Sequence, residues 1–79
     1  MELLKEKNKY LLIEDNETAG YVEFEIKDDT LSVLHTFVNE KFRGKGIARS
    51  LLEEVRIYAE TNNLRIYSVC SFAAKYFGR

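Results

Sequence analysis

Seventy-nine residues, 46% of them hydrophobic and 13% aromatic, are expected to form one small domain, in which folding buries only about 60% of the unfolded surface. Twelve basic against thirteen acidic residues leave a net charge of −1, which argues against broad affinity for nucleic acid, and one cysteine with one histidine excludes an intrachain disulfide and a structural zinc site. No apolar run approaches the roughly 20 residues of a membrane span, and the charged start MELLKEKNK lacks the apolar core of a leader peptide, so a cytoplasmic location with no membrane partner is expected.

The chain has no proline, repeat or low-complexity linker, and its first half reads as a meander. KYLLIED (9–15) is a short apolar run closed by the turn residues DNET. AGYVEFEIK (19–27) alternates, with Val22, Phe24 and Ile26 on one face and Tyr21, Glu23 and Glu25 on the other. TLSVLHTFV (30–38) places Leu31, Val33, His35 and Phe37 on one face and Ser32, Leu34, Thr36 and Val38 on the other. Both faces are largely apolar, the mark of a central strand. From Gly46 the period becomes helical, with Ile47, Leu51, Leu52, Val55, Tyr58 and Ala59 forming one stripe and Arg49, Glu53, Glu54, Arg56 and Glu60 opposite. Asn62–Asn63 ends that helix. LRIYSV (64–69) reads as a fourth strand and SFAAKYF (71–77) as a closing helix. The order strand-strand-strand-helix-strand-helix implies an α/β (α+β) fold. Its crossover makes the third and fourth of these strands parallel neighbours in a mixed sheet.

KFRGKGIARSLLEEV (41–55) opens the long helix without Ser, Thr, Asp or Asn at its start, the residues that usually satisfy the first amides. Instead Lys41, Arg43, Lys45 and Arg49 crowd the positive end of the helix dipole, where a cation is disfavoured by about 0.3–1 kcal/mol. A Walker loop does not fit, since one residue separates Gly44 from Gly46, and a Rossmann fingerprint would want a third glycine where Arg49 stands. Two readings remain. Either the glycines make a turn among solvated cations, or they clear the way for the amides of Gly44 to Arg49 to converge on a pyrophosphate.

Lys41-Phe42-Arg43-Gly44-Lys45-Gly46, followed by IARSLLEEV, resembles the signature Gln/Arg-x-x-Gly-x-Gly/Ala of the GCN5-related N-acetyltransferases, with Lys41 replacing Gln or Arg. The resemblance covers roughly residues 19–77 and is similar in extent to a small, minimal acetyl-CoA-binding subgroup, without the helical region that in longer members helps bind the acceptor. It implies a GCN5-like mixed sheet, acetyl-CoA as cosubstrate and an amine acceptor as second partner, in a monomer or weak dimer. The implied cofactor contacts are Phe37, Val38 and Asn39 along the pantetheine arm, the cations Lys41, Arg43, Lys45 and Arg49, and the loop residues Gly44, Gly46, Ile47 and Ala48.

The family's Asn, Ala and Tyr near the last helix align on Cys70, Ala73 and Phe77. Phe77 has no hydroxyl, and Tyr76, the candidate general acid, lies about 100° further round the helix. Cys70 stands at a strand-to-helix junction, an arrangement that favours the thiolate, and the small subgroup is thought to place a cysteine here facing the thioester. The alternative for Cys70 is a small buried hydrophobe. His35 likewise reads either as packed on its strand face or as a base paired with Cys70 across neighbouring strands. Tyr10, Tyr21, Tyr58, Leu51 and Leu52 read as packing residues, and Glu53–Glu54 as a solvated helix face. The expected activity is acetyl transfer to an amine, directly or through Cys70. The rival is a non-catalytic acyl-CoA binding or sensing module. A nucleic-acid-binding sheet face is disfavoured by Glu23 and Glu25.

Overall fold

A computed structural model describes residues 1–78. Five strands form one sheet in the order β1 (Glu2–Glu6), β2 (Lys9–Glu14), β3 (Glu17–Lys27), β4 (Thr30–Val38) and β5 (Arg65–Ser68). The first three pairings are antiparallel and β4–β5 is parallel, as the crossover through helix α1 (Ile47–Thr61) requires. Helix α2 (Ser71–Phe77) follows β5. The meander expected from the sequence gains one strand at its start. ELLKE pairs with β2, setting Leu3 opposite Leu12 and Leu4 opposite Leu11; with two adjacent leucines among charged residues it carries no alternation from which to recognise it.

Helix α1 covers one face of the sheet. Ile47, Leu51, Leu52, Val55 and Ala59 are buried against Tyr10, Leu12, Val22, Phe24, Leu31 and Val33, each fully buried large aliphatic contributing about 1.5–3 kcal/mol. At Gly20 a side chain would lie 2.6 Å from both Ile47 Cγ2 and the Phe37 carbonyl oxygen, so the absent Cβ is what lets α1 sit down on β3. Asn63, at φ 55°, supplies the left-handed residue after the helix, and Asn62 caps it by donating from Nδ2 to the Tyr58 carbonyl at 2.9 Å.

The unbroken alternation expected of β4 is corrected by a bulge. Glu23 pairs with His35 while the next residue, Phe24, pairs with Val33, so Leu34 is an extra residue on β4. An inserted residue reverses the faces beyond it. Leu31 and Val33 face the core, but after Leu34 it is Thr36 and Val38 that turn toward the helix side. His35 and Phe37 are exposed on the other face, beside Tyr21 at ring-centroid distances of 5.8 and 5.2 Å.

The parallel ladder also stops at the bulge. Pairing runs from Thr30↔Arg65 to Val33↔Ser68, after which the amides of Val69 and Cys70 both donate to the Val33 carbonyl, at 2.9 and 3.1 Å. Residues 34–38 of β4 therefore continue without β5, and a gap opens between them and the start of α2.

Candidate active site

The gap widens into a groove of about 530 Å³ lined by Thr36 and Val38 of β4, Arg43, Gly44 and Gly46 of the loop, Ile47, Ala48 and Arg49 of α1, and Phe72 of α2. At its outer end the loop is built by three local devices. Asn39 caps a single 3-10 turn (Glu40–Phe42), accepting from the Lys41 amide at 3.0 Å, and its own amide donates to the Ala19 carbonyl at 2.8 Å. Phe42 is buried and pins the turn to the core. Gly44 and Gly46 then take φ of 84° and 71°, the left-handed region that other residues enter at a cost of about 1–2 kcal/mol.

Gly46 is the N-cap of α1, with no side-chain cap and no acidic residue in the first turn. The first backbone bond of the helix runs from the Ser50 amide to the Gly46 carbonyl at 3.0 Å, and the amides of residues 44–49 bond to no other group among the described residues. These unpaired donors lie where the dipole is positive and around a groove, the arrangement that binds an anion. The clustered cations are partly answered from within. Lys41 is 2.9 Å from Glu17, Lys45 3.8 Å from Glu14 and Arg43 4.0 Å from Glu40. Arg49, on the groove wall, forms no salt bridge among the described residues.

Cys70 adjoins the groove through Thr36. It is the N-cap of α2, half-buried against the core, and its Sγ lies 3.8 Å from Thr36 Oγ1. Burial pushes the thiol's pKa up, but the Ala73 amide, the Thr36 hydroxyl and the amides of Phe72 and Thr36 outweigh it, and the thiol lies below its ordinary value. The contact between Thr36 and Cys70 was concealed by strand alternation, because the bulge that turns Thr36 toward Cys70 leaves no mark in the residue pattern.

Several expected residues stand elsewhere. His35 is on the far face of β4 from Thr36, so the Cys70–His35 pair expected across the strands does not form. Phe37 shares that far face, stacked on Tyr21. Asn39 is spent on the turn, Lys41 struts the loop to Glu17 on β3, and Lys45 leans over Phe42 at 5.5 Å. Val38, Arg43, Gly44, Gly46, Ile47, Ala48 and Arg49 do line the groove. Tyr76 faces a different hollow, about 580 Å³, between α1, β5 and α2, where its hydroxyl donates to Glu53. That bond holds the Tyr76 hydroxyl's pKa above its ordinary value. Glu53 in turn is pushed down to about 2 by its bonds from Arg56 and Tyr76. The solvated Glu53–Glu54 face is therefore corrected: Glu53 links α1 to α2, and Glu54 reaches Lys5 on β1 at 3.5 Å.

A parallel strand pair thus splays beside an uncapped helix N-terminus in a five-stranded mixed sheet. Residues 9–79 match the family model described as GCN5-related N-acetyl-transferase, and the chain belongs to that family, whose cosubstrate is acetyl-CoA. No curated protein matches the chain by sequence. Among solved structures it is similar to a GCN5-like N-acetyltransferase candidate from Staphylococcus aureus, at 28% identity and a TM-score of 0.81, covering 98% of this chain and 78% of that one. It is also similar in fold to the ribosomal-protein-S18-alanine N-acetyltransferase of Escherichia coli (15% identity, TM-score 0.75, 96% of this chain and 50% of that one). A third likeness is to N-acetylglutamate synthase of Neisseria gonorrhoeae complexed with coenzyme A and N-acetyl-glutamate (15%, TM-score 0.75, 90% of this chain and 18% of that one). The chain thus spans half or less of the latter two. No helix among the described residues is long and apolar enough to cross a membrane.

Proposed function

We propose that this domain binds acetyl-CoA in the groove and transfers the acetyl group to an amine. The pyrophosphate sits on the amides of residues 44–49 with Arg49 and Arg43 beside it, the pantetheine arm follows Val38 and Thr36, and the thioester arrives at Cys70. One observation carries this reading: the unpaired amides line the groove, and the depressed thiol touches Thr36 on the wall of the same groove. One chain supplies both ends, which supports action as a monomer or weak dimer, and a compact anionic cofactor suits a local basic cluster better than nucleic acid does.

Transfer runs directly or through the thiol. In the second route the Cys70 thiolate attacks the thioester carbonyl, the carbon–sulfur bond to CoA breaks, and the CoA thiolate takes up the proton that Cys70 released. The amine then attacks the acetyl-cysteine carbonyl, a carbon–nitrogen bond replaces the carbon–sulfur bond, and the amine's proton returns to the Cys70 sulfur. The groove lining holds no carboxylate, imidazole or thiol, but the Cys70 sulfur touches its Thr36 wall, which supports the thiol route.

Intact mass after incubation with acetyl-CoA tests this. One added acetyl per chain is expected, lost in Cys70→Ala and kept in His35→Ala and Tyr76→Phe, since neither of those side chains lines the groove or is among the groups around the Cys70 sulfur. Tight CoA binding without any adduct would remove the thiol route. CoA binding without transfer to any amine would leave a non-catalytic acyl-CoA binding or sensing module.

A further inference from the structure

Phe72 is an exposed aromatic outside the core cluster among the described residues. It is 51% exposed, two residues beyond Cys70 on the first turn of α2, and it joins no aromatic pair among the described residues; Tyr76 and Phe77 pair with each other instead, at 5.1 Å. Its ring has space on both sides. One side lines the groove with Thr36 and Val38, and the other borders a separate hollow of about 290 Å³ walled by Phe72, Lys75 and Tyr76. A large apolar side chain between two cavities is a partition, and its removal joins them.

We propose that Phe72 limits the length of the acyl group the groove accepts, admitting acetyl and excluding medium chains. The inference rests on the acetyl-CoA reading above, which puts the acyl carbon at Cys70, whose sulfur touches Thr36 of the groove wall and which precedes Phe72 of that wall by two residues. There a methyl group meets the ring in van der Waals contact, while further methylenes collide with it. The volume that could hold them lies behind the ring, next to the stem of Lys75. The side chain of residue 72, not the loop at residues 44–49, then sets which acyl-CoA is bound, and the loop sets only that a CoA is bound.

The test is calorimetric titration of wild type, Phe72→Ala, Phe72→Leu and Phe72→Trp with free CoA, acetyl-CoA and octanoyl-CoA. Wild type is expected to bind octanoyl-CoA at least about tenfold more weakly than acetyl-CoA, whereas Phe72→Ala brings the two within about threefold. Phe72→Leu should fall between, and serves if the alanine variant does not fold; Phe72→Trp should keep the exclusion. Free CoA should still bind every folded variant. A chain-length ratio unchanged in Phe72→Ala or Phe72→Leu, with free CoA still bound, overturns the partition and leaves the acetyl-CoA reading standing. Wild type that binds no CoA at all overturns both.

Discussion

Four groups lower the pKa of the Cys70 thiol against its burial, and Thr36 supplies two of them, its hydroxyl and its amide. The alkylation rate of Cys70 should therefore rise with pH through a midpoint below the 9.0 of an ordinary thiol, and Thr36→Val, which removes the hydroxyl and keeps the amide, should move that midpoint upward. A wild-type midpoint at the ordinary value would show that burial wins over the donors. Glu53 gives a second residue-scale prediction. A carboxyl lowered from 4.5 to about 2 in the folded protein contributes stability that is fully present above the ordinary value and lost as the pH falls through the lower one. Glu53→Gln should melt below wild type at pH 7, with the difference closing between pH 4.5 and about 2 and shrinking with added salt, because the group is partly exposed. Equal melting temperatures across that range would mean that the Tyr76 and Arg56 contacts contribute nothing. Which residues matter was partly readable in advance. Cys70 and the glycines announce themselves by type and spacing, whereas Thr36 and Glu53 depend on which way one backbone turns and which helices meet.

At the scale of elements, three glycines do two different jobs. Adding a methyl at Gly44 or Gly46 meets nothing within 4 Å, so the cost of Gly44→Ala or Gly46→Ala is the left-handed backbone, about 1–2 kcal/mol. It falls on the loop, and CoA affinity should drop by about tenfold while the sheet keeps its stability. Gly20→Ala should do the reverse. Its methyl would press on the Phe37 carbonyl and Ile47, and overpacking of this kind costs about 1–3 kcal/mol of stability. Denaturant unfolding and CoA titration of the three variants separate the two roles, and equal loss of stability in all of them would contradict the division. The strand and helix boundaries from residue 9 onward were close to legible, since alternation in β3 and the apolar stripe of α1 are direct consequences of burial on one side. The bulge was not. An inserted residue in an apolar strand changes which side chains face inward without changing the composition of the strand, so the sequence alone put His35 with Val33.

The whole molecule is a sheet covered on one face. Its other face exposes Leu4, Leu34, Phe37 and Tyr67, with Tyr21 stacked on Phe37 and Lys9 over Tyr21 at 4.2 Å. Two surfaces thus compete for the role of ligand site: this open aromatic face, and the groove between β4, α1 and α2. The fold was legible from the order of its elements and the glycine-rich loop, but the gap that makes the groove was not, because it arises where two parallel strands part at the bulge. Titration of isotope-labelled protein with free CoA, followed residue by residue through the amide resonances, decides between the surfaces. The groove reading predicts that shifts concentrate at Gly44 to Arg49 and extend along Thr36 and Val38 to Cys70 and Phe72. Shifts confined to Tyr21, His35 and Phe37 on the open face, with the loop amides unmoved, would contradict it.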